Sequence, residues 1–204
     1  MARIISAWVL SVVIGMTALP ALGQKQDALE FLKAKQARVE KILKTSKGKT
    51  QSNQESTELN EALNELLDYD ELSRRSLEGF WDDRKPKERK EFVELLRKLV
   101  RRNYERSLTD TLEYRIRYQD ARKESDGVVV RTTAKSKAKA RAPAVTIEYT
   151  MRPVDSGWKI YDITTDGVSL VRNYRSQFGR IIRKHGWNEL IRRMHDRLEN
   201  NATI

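Results

Sequence analysis

Apolar residues recur every three or four positions through the first half of the chain, which is the spacing of one face of a helix. The pattern predicts helices over residues 27–44, 57–67 and 69–81, followed by a longer helix that begins at Pro86. Asp68 precedes the third helix, where its carboxylate can accept hydrogen bonds from the backbone of the first turn. Proline suits the start of a helix because it lacks the N–H group that the first turn leaves unpaired.

After the long helix, apolar residues recur at every second position. Apolar and polar residues alternate there, which is typical of strands with one buried face. Asp126-Gly127 predicts a turn between the first two strands. The connections between successive strands are short, which favours an antiparallel meander. The predicted strands cover residues 112–119, 128–134, 145–151 and 158–164.

Helical spacing returns near the C-terminus and predicts two helices, over residues 168–185 and 187–198. Gly186 lies between them and suits a helix end, because glycine readily adopts the left-handed conformation found there. A chain that places helices first, then a meander of strands, then helices again predicts an α+β fold. We expect a curved antiparallel sheet of about four to five strands packed against several helices.

The first residues have the features of a secretory signal peptide. Arg3 is their only charge, the run Ile4–Leu19 is almost wholly apolar, and Ala21-Leu22-Gly23 supplies the small residues of a cleavage site. The apolar run is shorter than the roughly 20 residues that cross a bilayer. We therefore predict a signal peptide over residues 1–23 and a single exported domain, without cysteine, over residues 24–204.

The net charge of the chain indicates which classes of partner it can bind. Lys and Arg number 40 against 29 Asp and Glu, which gives a net charge of +11 and a pI near 9.8. Such a balance favours lipid head groups, acidic proteins or nucleic acid. An exported protein rarely meets nucleic acid, so the first two are favoured. The basic run Lys135–Arg141 either steers the protein to an anionic partner or forms a solvated loop.

Residue types that carry catalysis are scarce. The chain has two histidines, His185 and His195, and neither a nucleophile elbow, a phosphate-binding loop nor a glycine-rich dinucleotide turn. Asp162 beside Tyr161 comes nearest to a catalytic pair, because a buried carboxylate with a raised pKa can act as a base. The alternative is that Asp162 bonds nearby backbone or an arginine. We predict no catalytic residue, no metal site and no cofactor.

Two blocks of sequence carry a resemblance to a known family. The first is WKIYDITTDGVSLVRNYRSQF, over Trp158–Phe178. The second joins Leu67-Asp68-Tyr69-Asp70 to Leu77-Glu78-Gly79-Phe80-Trp81. Together they resemble the MlaC family, also known as the toluene-tolerance Ttg2 proteins. The resemblance implies a soluble periplasmic phospholipid-binding protein that serves an ABC transporter.

The resemblance further implies that the sheet and the helices diverge to leave a deep apolar cavity for acyl chains. It implies a monomeric carrier that shuttles phospholipid between an outer-membrane lipoprotein–porin complex and an inner-membrane ABC transporter, and so maintains the lipid asymmetry of the outer membrane. The head group would stay at the mouth, because burying its charge is costly. The candidate cavity-lining residues are Phe92, Leu96, Leu99, Tyr104, Ile147, Tyr149, Val168, Val171, Tyr174 and Phe178.

Two other functions fit the residues. One is an exported enzyme, such as an isomerase or hydrolase, that acts on a hydrophobic substrate in a cone-shaped α+β pocket. A cluster of titratable groups inside the pocket would favour it. The other is a basic periplasmic adaptor with a filled core and no ligand.

Overall fold

The computed structural model describes residues 21–46, 53–139 and 141–200. Over these ranges the chain forms six helices and one sheet of five strands, which confirms the predicted α+β fold. The elements are α1 (Ala21–Ser46), α2 (Asn53–Leu66), α3 (Tyr69–Ser76), α4 (Pro86–Thr111), β1 (Tyr114–Glu124), β2 (Gly127–Ser136), β3 (Val145–Val154), β4 (Gly157–Thr165), β5 (Val168–Ser169), α5 (Leu170–His185) and α6 (Trp187–Glu199).

The strands follow one another across the sheet in chain order, and every neighbouring pair is antiparallel. The predicted meander is therefore confirmed, with β1 at one edge. The register shifts between Tyr118 and Ala121 in β1, and between Thr150 and Met151 in β3. Such bulges bend a strand and increase its twist, so they contribute to the curvature of the sheet.

Two groups of buried apolar side chains hold the layers together. The larger group lies between one face of the sheet, which we call the inner face, and helices α3 to α6. Phe92 of α4 is fully buried within it, and its ring meets the ring of Phe178 edge-on at 5.5 Å between centroids. The smaller group joins α1 to α2 through Val39, Ile42 and Leu63, among others. The core is thus divided, and α1 contributes to both parts because Ala28 and Leu32 belong to the larger one.

α3 is shorter than the sequence predicts. The expected helix reaches Trp81, but α3 ends at Ser76 and Leu77 forms its C-cap. The chain then turns tightly, with the backbone N–H groups of Phe80 and Trp81 both donating to the Leu77 carbonyl. Gly79 adopts a φ of +83°, which glycine tolerates and other residues rarely do. The prediction of the start is confirmed, since the Asp68 carboxylate accepts a hydrogen bond from Glu71 N at 3.0 Å.

α5 begins later than the sequence predicts. Val168, expected in the helix, instead pairs with Thr165 in the short strand β5. The helix starts at Leu170 because Ser169 caps it, with its Oγ accepting a hydrogen bond from Arg172 N at 3.1 Å. Helical periodicity did not reveal this boundary, since an apolar valine fits either element.

The N-terminal prediction is only partly within the described residues. Residues 1–20 of the expected signal peptide lie outside them, and 21–23 form the start of α1. The signal peptide therefore stays a prediction. Among the helices that the structure describes, none is both long and apolar enough to cross a bilayer.

Candidate functional site

A groove of about 490 Å³ opens between α1 and the inner face of the sheet at β1 and β3, and we call it the α1 groove. Its size falls within the range of about 300–1,000 Å³ that is typical of small-molecule sites. Charged and amide side chains contribute to the wall at Lys33, Gln36, Glu40, Arg115 and Lys137. The rest of the lining is apolar or aromatic: Ala37, Val39, Leu43, Leu112, Tyr114, Ile116, Tyr118, Ile147 and Tyr149.

Alternation along the strands directs the aromatic and aliphatic side chains into the groove. Tyr114, Ile116 and Tyr118 share one face of β1, because successive side chains of a strand point to opposite faces. Tyr118 and Ile147 both lie opposite Thr132, so β1 and β3 present these residues to the same side. Tyr118 and Ile147 pack against the edge of the larger core group but stay partly exposed, and Tyr114 is 36% exposed. The groove is therefore apolar surface that the fold leaves open.

Gln36 links α1 to the sheet across the floor of the groove. Tyr118 Oη donates a hydrogen bond to Gln36 Oε1 at 2.5 Å, and Tyr149 also makes side-chain hydrogen bonds with Gln36 and Thr132. Burial raises the pKa of Tyr118 to about 12 and also raises the pKa of Tyr149. Both phenols are consequently neutral at physiological pH. The two hydroxyl groups on the floor are thus uncharged, which suits an apolar ligand.

A second cavity of about 390 Å³, which we call the basic pocket, lies mainly on the outer face of the sheet, because Arg115, Arg117, Thr133 and Lys135 alternate with the inner-face residues of β1 and β2. It meets the α1 groove at the edge strand β1. Arg115 and Lys137 line both cavities. Lys137 Nζ donates a hydrogen bond to the carbonyl of Leu112 at 2.7 Å, which fixes the ammonium group at the junction. The full lining of the basic pocket is Arg115, Arg117, Thr133, Lys135, Ser136, Lys137 and Ala144.

The model of the MlaC protein family matches residues 33–196, a range that includes every residue lining the two cavities. The chain belongs to the MlaC family. The family resemblance inferred from the two sequence blocks is thereby confirmed.

A solved structure shares the fold of this MlaC-family chain. It is the phospholipid-binding protein of Ralstonia solanacearum, determined in complex with a phospholipid, with a TM-score of 0.71 and 24% sequence identity. The match covers 85% of this chain and 98% of the Ralstonia chain, so nearly the whole domain is shared. Among curated protein sequences, none matches this chain.

Only part of the predicted lining faces the α1 groove of this MlaC-family chain. Ile147 and Tyr149 line it. Val168 lies in β5, where it is 64% exposed and lines neither of the two cavities. Tyr104 belongs to α4, but its side chain lies outside the described residues. The remaining six residues are buried in the larger core group: Phe92, Leu96, Leu99, Val171, Tyr174 and Phe178.

Those six residues form a closely packed cluster. The rings of Tyr174 and Phe178 stack with 5.1 Å between centroids, and Leu96 is fully buried. Burial raises the pKa of Tyr174 to about 12, although a hydrogen bond with Asn103 opposes this. The structure thus brings these six residues together, but apart from the α1 groove. Their contact with acyl chains stays a prediction.

The sequence interpretation did not find most of the groove. It placed Tyr114, Ile116 and Tyr118 in the predicted strand over residues 112–119, which has one buried face, but did not include them among the candidate cavity-lining residues. The apolar stripe of α1 is interrupted in its middle, where Gln36 and Ala37 now line the groove. That interruption was the one sequence feature that could have indicated the groove, because a helix face packed against a filled core rarely carries an amide side chain.

Asp162 has a structural role. Its Oδ2 accepts a hydrogen bond from Ser169 Oγ at 2.6 Å, and its Oδ1 accepts one from Val171 N at 3.0 Å. It therefore anchors the first turn of α5 to β4, as the non-catalytic interpretation expects. Tyr161 bonds elsewhere, since its hydroxyl donates to Asp126 at 3.3 Å and its ring lies 4.1 Å from the Arg75 guanidinium.

The catalytic pair considered from the sequence lies apart from both cavities. Neither Asp162 nor Tyr161 lines the α1 groove or the basic pocket. In the described ranges there is no group of His, Asp and Glu side chains that could hold a metal ion. His195 is exposed, and its Nε2 lies 3.6 Å from Glu91 on the surface.

Proposed function

We propose that this MlaC-family protein is a periplasmic carrier that holds the acyl chains of a phospholipid in the α1 groove. The observation that carries the proposal is an open, largely apolar surface on α1, β1 and β3, with the charged side chains of Lys33, Glu40, Arg115 and Lys137 in its wall. A phospholipid has the same division, with apolar chains and a charged head group.

The energetics favour such a ligand. Each CH₂ group that the groove removes from water contributes about 0.8 kcal/mol to the free energy of binding. Burial of a single acyl chain can therefore offset a large loss of conformational entropy when the lipid is fixed in the groove. A ligand in the groove would also cover Tyr114, which is 36% exposed. The complex of the Ralstonia protein with a phospholipid supports this choice of ligand, because the two chains share a fold.

Membership of the family and the N-terminal sequence support a role in transport. We propose that residues 1–23 are a signal peptide, and that 24–204 form one exported phospholipid-binding domain. In this role the protein receives or delivers lipid at an outer-membrane lipoprotein–porin complex and at an inner-membrane ABC transporter, and thereby maintains outer-membrane lipid asymmetry. It acts as a monomer and catalyses no reaction. Of the alternatives, the enzyme loses support because Asp162 is engaged by Ser169 and Val171.

Lipid analysis of the purified protein tests the proposal. Organic extraction followed by mass spectrometry should yield phospholipid, and delipidated protein should regain it from vesicles. Ile116→Trp should lose most of the bound lipid, because the indole fills the groove that Ile116 lines. Gln119→Trp is the matched control, since Gln119 is exposed on the same strand and lines neither cavity.

The thermal midpoints of both variants are measured on the same samples. Lipid loss in Ile116→Trp with a midpoint like that of Gln119→Trp supports the groove as the site. Wild-type protein that carries no phospholipid and takes none from vesicles would overturn the proposal.

A further inference from the structure

We propose that the basic pocket binds the head group of the lipid held in the α1 groove, and that it selects phospholipids with net negative charge. The inference rests on the proposed function, since it assigns the head group of the same ligand. The shared chemistry of that ligand is a phosphate diester with no compensating ammonium group.

The basic pocket concentrates positive charge without acidic side chains. Four of its seven lining residues are cationic, and none is Asp or Glu. Within the part of the chain that the structure describes, Arg115, Arg117 and Lys135 make no ion pair. A neutral hydroxyl from Thr133 or Ser136 completes the wall. Such a lining offers many hydrogen-bond donors to an anion.

Strand register places two of these cations against each other. Arg115 lies directly opposite Lys135 in the β1–β2 pair, so their side chains share one face of the sheet. Like charges in this position destabilise a sheet, by up to about 1 kcal/mol. An anion between them would remove that repulsion. The arrangement therefore favours an occupied pocket over an empty one.

Two other arginines on the same two strands are paired with a carboxylate. Arg122 and Arg131 lie farther along β1 and β2, and Glu148 accepts hydrogen bonds from both, at 2.7 Å and 2.9 Å. These contacts lower the pKa of Glu148 below its usual value. No carboxylate performs this role for Arg115, Arg117 or Lys135 among the described residues. Among the described residues, the cations at the end of β1 and β2 that adjoins the groove thus lack the counter-charge that Glu148 provides farther along.

The inner-face groove and the outer-face basic pocket meet at the edge strand β1. Arg115 and Lys137 line both of them, and Leu112, whose carbonyl accepts from Lys137 Nζ, lines the groove. One Lys137 N–H is used by this hydrogen bond, and an ammonium group has two more to donate. A phosphate at the junction can therefore bind Lys137 and Arg115 while its chains remain in the groove.

The net charge of the head group determines which phospholipid the basic pocket binds more tightly. Phosphatidylglycerol presents only the phosphate charge to the four cations. Phosphatidylethanolamine brings an ammonium group with its phosphate, and this group would be repelled in the same pocket. We expect about fivefold enrichment of phosphatidylglycerol in the bound lipid, which corresponds to about 1 kcal/mol of selectivity.

The test exposes delipidated protein to vesicles with equal amounts of phosphatidylglycerol and phosphatidylethanolamine. The protein is separated from the vesicles, and its bound lipid is extracted and quantified by mass spectrometry. Wild type should show the enrichment. In the double variant Arg115→Gln/Lys137→Gln the enrichment should be lost; it is measured as the ratio of the two bound lipids, so that it does not depend on the total amount bound. Lys87→Gln/Lys184→Gln is the control, because it removes the same charge from exposed positions that line neither cavity.

Each other outcome overturns the inference. Equal binding of the two lipids by wild type would leave the proposed carrier function intact and remove the selectivity. Enrichment that persists in Arg115→Gln/Lys137→Gln would move the selectivity away from the basic pocket. If this variant loses only its adsorption to phosphatidylglycerol vesicles in a sedimentation assay, the pocket contacts the membrane surface instead. Thermal stabilisation by inorganic phosphate alone would identify a free-anion site. Protein that takes up neither lipid would overturn the carrier function as well.

Discussion

The division between a packed core and an open groove can be tested by two matched truncations. Leu96 of α4 is fully buried among apolar side chains, whereas Ile147 of β3 is only partly buried and lines the α1 groove. Replacing either residue with alanine removes aliphatic groups. Leu96→Ala also leaves a void inside a packed cluster, so it should lower the free energy of unfolding by about 2–5 kcal/mol.

Ile147→Ala should behave differently, because its side chain already borders open space and no new void is created there. We expect a loss of about 1 kcal/mol in the free energy of unfolding. Its effect should fall on lipid binding, since the groove loses apolar surface. Leu96→Ala should keep normal lipid content per folded molecule.

Urea denaturation gives the free energy of unfolding, and extraction from the folded fraction gives lipid content per molecule. The reasoning fails if Leu96→Ala costs little stability but depletes bound lipid. That result would make the α4 face part of a cavity wall, as the sequence analysis expects, and would take the site away from the α1 groove.

Two further predictions concern the polar contacts that position the helices. Asp162→Ala should lower the free energy of unfolding by about 1–3 kcal/mol, because Ser169 Oγ and Val171 N lose their acceptor at the start of α5; an unchanged urea midpoint would contradict this. Hydrogen bonds from Arg74 and Arg75 lower the pKa of Glu71 from 4.5 to about 2, so the stability that its charge provides is present above pH 4.5 and is lost as the pH falls towards 2. A thermal midpoint that falls as steeply over this pH range in Glu71→Gln as in wild type would assign the loss to other carboxylates.

The sequence predicts the elements of this fold better than their ends. Apolar periodicity identifies the helices and the meander because each has one buried face, and that requirement is local. The end of α3 at Ser76 depends on the turn around Gly79, and the start of α5 depends on the cap at Ser169. Such features involve single residues, which a pattern over many positions does not resolve.

The groove was harder to predict for a different reason. Phe92 and Ile116 each fit the apolar period of their element, three to four positions in helix α4 and two in strand β1, yet one is fully buried and the other lines an open groove. What separates them is whether another element approaches closely enough to fill the space, and this is decided by tertiary structure. The predicted residues Ile147 and Tyr149 lie in the groove because β3 passes from one environment to the other.

Photocrosslinking tests the central claim most directly. A phospholipid with a photoactivatable group in its acyl chain is loaded into the delipidated protein, irradiated, and mapped by peptide mass spectrometry. The account predicts labelling of α1 over residues 33–43 and of β1 and β3 at Tyr114, Ile116 and Ile147. Labelling confined to α4 and α5, around Phe92 and Phe178, would contradict it.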